Sequence, residues 1–227
     1  MDPAAVADFR TAISEPKFAK YLIAYGNNDR MARRLYMWNI ELSSAFWGPI
    51  SVLEVMLRNA VHDAMRKGQN DAWWEQANLA SHERDSLDTT IRKLREKYRE
   101  EPTPDDVVGE TSLGFWVGLI GGGIPRDPLY SYEVAFWQTR IKWAFPNLGA
   151  VSRKQLHDEL QRIRALRNRI AHHEAIFNAP HEQLRDSIVS IAGYMSAEMA
   201  PLIAQSHRID EVLAGKRASI TDGTCRF

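Results

Sequence analysis

The chain has one cysteine, Cys225, close to its C-terminus. No disulfide can form within it, and a reducing cytosol is the expected compartment. It also lacks net charge. Its 29 lysines and arginines balance 29 aspartates and glutamates, so nothing draws the whole molecule toward nucleic acid or an acidic membrane surface. No uninterrupted apolar run approaches membrane-spanning length, and no charged start is followed by an apolar core and a small-residue cleavage site. A cytoplasmic protein without a membrane partner is therefore expected. Alternating runs that would argue a sheet are missing, as are internal repeats and low-complexity tracts. So are metal motifs: His172, His173 and Glu174 in a row do not match HExxH, and His62, His82, His157, His181 and His207 are scattered. No metal and no cofactor is expected.

The 227 residues, 44% of them hydrophobic, suffice for one sizeable core. Helical spacing recurs along the whole length. Residues 1–15 form a small-residue lead-in with a short helix from Pro3. Pro16 suits a helix start, and Gly26-Asn27-Asn28 stops that helix. Asp29 caps the next, whose Leu35, Trp38 and Leu42 share a side, until Gly48-Pro49 breaks or kinks it. Pro49 opens a helix over 49–67. Further helices are expected at 82–100, 130–144 and 181–203, with a loop-rich insertion at about 100–130 and a peripheral tail over 206–227. Residues 16–205 then make one all-α helical domain. Trp73, Trp74, Trp116, Trp137 and Trp143 are expected to fill its core. Gly121-Gly122-Gly123 lacks the Gly-Lys-Ser/Thr of a phosphate loop and reads as a turn. Gly193, with Ala192, Ser196 and Ala197, would let another helix come close.

Two stretches carry polar residues where chemistry is expected. In 49–67, Glu54, Arg58 and His62 stand one above another at i, i+4 and i+8 on a largely apolar helix, with Asn59 alongside. They are either an internal pair that fixes packing or support for a site elsewhere. The other stretch, 152–177, reads as a helix. Ser152 and Gln155 make a capping box, and Leu156, Leu160, Ile163, Leu166 and Ile170 form an apolar stripe. Its basic residues include Arg162, Arg164, Arg167 and Arg169, and its last turns carry Asn168 and adjacent imidazoles, His172 and His173. On a regular helix those imidazoles point about 100° apart, whereas Asn168 and His172 face the same way.

An arginine fork on a phosphate, an imidazole for proton transfer and an amide to orient them suffice for phosphodiester transfer without a metal. RNA supplies the nucleophile in its 2′-hydroxyl, and DNA does not. One imidazole leaves the second proton transfer to His173, to Glu174, or to a second copy across a two-fold axis, and the dimer is favoured. The bland reading is a helix C-terminus whose cations suit the dipole.

These residues also carry a resemblance. Arg167-Asn168-Arg169-Ile170-Ala171-His172 resembles the Arg, polar, three residues, His motif of the HEPN superfamily of helical ribonucleases. The string LRNRIAHHEAIF is similar to its Abi-like, abortive-infection branch, as are LEVMLRNAVH at 53–62 and VVGETSLGFWVGL at 107–119, with Glu110, Gly114, Phe115 and Trp116. The resemblance implies a HEPN-like helical bundle and a dimeric, metal-independent endoribonuclease used against phage or as a toxin. It implies that Arg167 binds phosphate, Asn168 positions it and His172 is the acid/base. His173, Glu174, Glu54, Arg58, Asn59 and His62 would support the site, and Arg162, Arg164 and Arg169 would contact RNA. A cognate antitoxin, RNA or protein, is a further partner on this reading. The rival is a helical RNA-binding or protein-interaction module that uses Arg167 and His172 for phosphate contact alone.

Overall fold

A computed structural model describes residues 9–227, so the short helix expected from Pro3 lies outside the described residues. The fold is all-α. Among the described residues there is no strand, only an isolated antiparallel bridge between Gly123 and Ser131. After helical residues 9–13, ten α-helices follow: α1 (Glu15–Ala24), α2 (Asp29–Arg66), α3 (Ser81–Tyr98), α4 (Pro104–Glu110), α5 (Leu113–Ile120), α6 (Arg153–Ala171), α7 (His181–Met195), α8 (Met199–Ser206), α9 (Ile209–Ala214) and α10 (Lys216–Thr221).

The chain forms two compact units rather than one. The first holds residues through Ile50, Ala165–Arg185 and Gln205–Phe227; the second holds Ser51–Arg164 and Asp186–Ala204. Helices α2, α6 and α7 each contribute residues to both.

The largest departure from expectation is α2. It runs unbroken for 38 residues with Pro49 inside it, so no new helix opens at Gly48-Pro49. Proline removes one ladder bond and costs about 3 kcal/mol in a helix interior. Ala45, Phe46, Ile50 and Leu53 on either side are all buried. Each large apolar side chain contributes about 1.5–3 kcal/mol on burial, which outweighs the proline. By length and composition α2 is also long and apolar enough to cross a membrane. Leu35, Trp38, Leu42, Phe46, Leu57 and Val61 are instead buried inside the protein, as in a core helix. The helix is wetter than its sequence suggests, since Val52 and Val55 lie exposed.

In the first unit, α1 ends as expected. Gly26 and Asn27 take positive φ, with Gly26 N–H donating to Ile23 O and Asn27 N–H to Leu22 O. The cap of α2 is Asn28, not Asp29: Asn28 Oδ1 accepts from Met31 N–H at 3.1 Å. The tail is not peripheral. Ile209, Val212 and Ile220 of α9 and α10 are buried, and Trp38 Nε1–H donates to Val212 O at 3.0 Å. Arg34 donates to the carbonyls of Ile220, Thr221 and Asp222.

In the second unit the insertion at 100–130 keeps loops at both ends but carries two short helices, α4 and α5, with Thr103 and Asp106 forming a capping box. Glycines in and after α5 make room for polar side chains. A Cβ on Gly118 would lie 2.3 Å from Glu83 Oε1, and one on Gly114 would lie 3.0 Å from Arg164 Nε. Glu83 of α3 is buried and accepts from Tyr132 O–H at 3.1 Å. The helix expected over 130–144 is a π-helix, Glu133–Trp137, and a separate 3-10 turn, Ile141–Ala144. Trp73, Trp74, Trp116 and Trp137 are buried as expected, but Trp143 is 68% exposed. The closing helix breaks after Met195. Gly193 then faces α8, with Ala200 Cβ 3.2 Å from where its own Cβ would sit, so the small-residue surface is used within the chain.

Candidate functional site

Helix α6 begins as its sequence dictates. Ser152 N–H donates to Gln155 Oε1 at 2.9 Å, and Gln155 N–H returns a bond to Ser152 Oγ at 3.2 Å. Leu156, Leu160, Ile163, Leu166 and Ile170 are all buried. The helix does not reach Phe177. It stops at Ala171 in a Schellman turn: His173 takes the left-handed conformation at φ 54°, its N–H donates to Ile170 O at 2.9 Å, and Glu174 N–H donates to Arg169 O at 2.7 Å. His172 is thus the last helical-bonded residue, its N–H donating to Asn168 O at 2.9 Å. The paired imidazoles therefore do not continue a cylinder, because the backbone reverses at His173.

This turn sets the exposure of the candidate residues. Asn168, His172, His173 and Glu174 are exposed, whereas Arg167 is half-buried with its guanidinium 5.9 Å from the Trp47 ring centroid. Arg169 is turned inward on the turn itself. Its Nη2 donates to Ala175 O and its Nε lies 4.0 Å from Glu174, so it braces the loop.

The loop after the turn is fastened from several sides. Asn39, buried on α2, accepts at Oδ1 from Ile176 N–H at 2.6 Å and Phe177 N–H at 3.0 Å. The Phe177 ring lies 5.2 Å from that of Tyr21, whose hydroxyl burial holds well above its ordinary pKa. His181 Nε2–H donates to Ile176 O at 2.6 Å, and its ring sits edge-on to Trp38. Burial pushes the His181 pKa down, against the opposing pull of that hydrogen bond. Sequence reasoning misses Asn39. The signal was there: a carboxamide one residue beyond Trp38, inside the apolar stripe of Leu35 and Leu42, must find buried partners.

The other candidates belong to the second unit. Arg58 Nη1 donates to Gly109 O at 3.0 Å, Glu54 is half-buried and Asn59 is exposed. His62 is buried, with its Nδ1 accepting from Trp73 Nε1–H at 3.1 Å, which places its own proton on Nε2. Desolvation, with Arg66 next, lowers its pKa. This makes His62 a packing residue of its unit. Arg162 is exposed, while Arg164 lies against Gly114 and donates to Gln161 Oε1 at 3.3 Å. Phe115 and Trp116 are buried and Glu110 is exposed. Two of the cations at the start of α6 are neutralised locally, Arg153 by Glu133 and Lys154 by Asp158. Among the described residues no three His, Cys, Asp or Glu side chains cluster as metal ligands would.

No protein-family model, no curated protein and no solved structure matches this chain.

Proposed function

We propose that this chain is a metal-independent endoribonuclease of the abortive-infection or toxin type, acting in the cytoplasm as a homodimer. The observation that supports the reading is the turn at 171–174. It leaves His172 and Asn168 exposed on the same end of α6 as half-buried Arg167. In the reaction, the Arg167 fork neutralises the scissile phosphate as its charge grows, and Asn168 orients it. His172 takes the proton from the 2′-hydroxyl, whose oxygen attacks phosphorus and expels the 5′-oxygen. The leaving oxygen receives its proton from His173, Glu174 or the second subunit. The products are a 2′,3′-cyclic phosphate and a free 5′-hydroxyl.

The test is incubation of purified wild-type and His172→Ala protein with total cellular RNA in EDTA, followed by end-group analysis. Wild-type-only cuts ending in cyclic phosphate are expected. Equal cutting by the folded mutant removes His172 from the mechanism. Binding without cutting by either protein leaves the chain an RNA-binding module.

A further inference from the structure

The second unit holds a cavity of about 300 Å³ lined from the end of α2, the turn at 76–78 and the π-helix. Its floor is apolar, made by Met65 and Phe136, which are 2% and 5% exposed. The carboxamides of Gln69, Gln76 and Asn78 line its rim, and Thr139 adds a hydroxyl. Among the described residues, none hydrogen-bonds to those three side-chain amides. Both walls are nonetheless fixed. Arg140 Nη1 donates to Met65 O at 3.1 Å and to Lys67 O at 2.6 Å. Arg84 Nη2 donates to Trp74 O at 2.9 Å and to Ala77 O at 3.0 Å. We propose that this cavity binds a nucleobase, and that its amides suit the edge of adenine.

The lining decides the chemistry. No carboxylate is among the described residues that line the cavity, so a cationic ligand finds no counter-charge there. Its one cation, Arg140, already commits Nη1 to two backbone carbonyls, so phosphate is not the group the site is built around. A carboxamide carries donors and an acceptor side by side and matches a neutral edge with the same pairing. Adenine offers that pairing at N6 and N7, which asparagine or glutamine reads bidentately. Its flat faces suit an apolar floor, whereas a sugar would set hydroxyls against Met65 and Phe136. Walls held in place before the ligand arrives lower the ordering cost of binding. The base can come from a free nucleoside or from unpaired RNA, and neither source needs Arg167 or His172.

The experiment titrates full-length protein calorimetrically with adenosine, AMP, uridine and glucose. Adenosine should bind with a Kd of about 0.1–1 mM, and AMP should match it within about twofold. Uridine and glucose should bind at least about fivefold more weakly. Gln76→Leu and Asn78→Leu should each weaken adenosine about 5- to 100-fold. Asn70→Leu, exposed but outside the cavity, should leave binding unchanged. Ala77→Phe, which sets a ring into the cavity, should abolish it, with circular dichroism reporting the fold of each variant. In a His172→Ala background, so that RNA survives, displacement of adenosine by an oligoadenylate RNA makes RNA the source. No displacement makes it the free nucleoside. Absence of adenosine binding by the parent protein overturns the proposal, as does full binding by folded Gln76→Leu and Asn78→Leu. Equal binding of glucose overturns it in favour of a sugar site, and equal binding of uridine removes the adenine assignment. None of these outcomes bears on cleavage by His172.

Discussion

Asn39 and Ile176, 137 residues apart in sequence, are joined by a 2.6 Å hydrogen bond from the Ile176 N–H to the Asn39 carboxamide oxygen, which also accepts from Phe177. The bond anchors the chain just after α6, two residues beyond Glu174. Removing the acceptor leaves two N–H groups without their partner, one of them on fully buried Ile176. Each buried unsatisfied group costs about 1–3 kcal/mol. Asn39→Leu is therefore expected to lower the unfolding free energy by about 2–4 kcal/mol in urea titrations. A loss below about 1 kcal/mol would show that the loop finds other partners.

His173 occupies a left-handed position that glycine usually fills. His173→Gly should relieve that strain and stabilise the protein by about 0.5–1 kcal/mol, after the greater freedom of glycine in the unfolded chain is counted. If the second proton comes from elsewhere, RNA cleavage should persist. Loss of cleavage in the stabilised variant would assign that proton to His173.

Arg167→Lys keeps the charge but loses the planar fork and its contact with the Trp47 ring. On the nuclease reading, cleavage should fall at least about tenfold, and His172→Ala should cost roughly 100-fold or more. Both variants should retain wild-type helix content by circular dichroism. Full activity in Arg167→Lys would mean that a point charge suffices at that position.

Burial lowers the pKa of His62 in the folded chain, so the folded state resists a proton that the unfolded state accepts. Its contribution is fully present above about pH 6.5, the unfolded value, and is lost as pH falls from there through the folded value. Protonation would also set a donor at Nδ1 against the Trp73 N–H. Urea midpoints should therefore drop between pH 7.5 and 5.5. His62→Asn, which keeps an acceptor and does not titrate, should flatten that slope. An unchanged slope would place the acid sensitivity in other groups, such as His157 and His181, which burial lowers in the same way.

Gly123 has φ +59°, and a Cβ there would lie 2.1 Å from the Tyr130 carbonyl oxygen and 2.7 Å from the Tyr132 ring. Gly123→Ala should cost at least about 2 kcal/mol from backbone strain and overlap together. A melting temperature within a degree of wild type would refute this requirement.

The parts of the molecule legible in the sequence are those decided by local pattern. The capping box at Ser152 and the stripe from Leu156 to Ile170 are where periodicity puts them. What escaped was decided by distant partners. Pro49 signals a break to any local rule, and burial of the residues around it overrides the signal. Arg169 reads as surface charge until the reversal at His173 brings the Ala175 carbonyl to it. Trp143 reads as core because of its type, yet it lies outward under Lys142. Of the candidate site, the identity and helical order of Arg167, Asn168 and His172 were legible. The shape of the turn that presents them was not, because no glycine announces it.

The first unit is discontinuous: it draws on the beginning, the middle and the last stretch of the chain. A ribosome releases residues in order, at roughly 5–20 per second. Trp38 emerges early, but its partner Val212 is made 174 residues later. Asn39 likewise waits for Ile176. The loop behind His172 is therefore fastened only once Ile176 and Phe177 have emerged, and Trp38 finds its partner only once α9 has. A polypeptide abandoned before α9 would carry the motif without its scaffold. On the nuclease reading, such a dependence ties activity to chains in which α9 is already made.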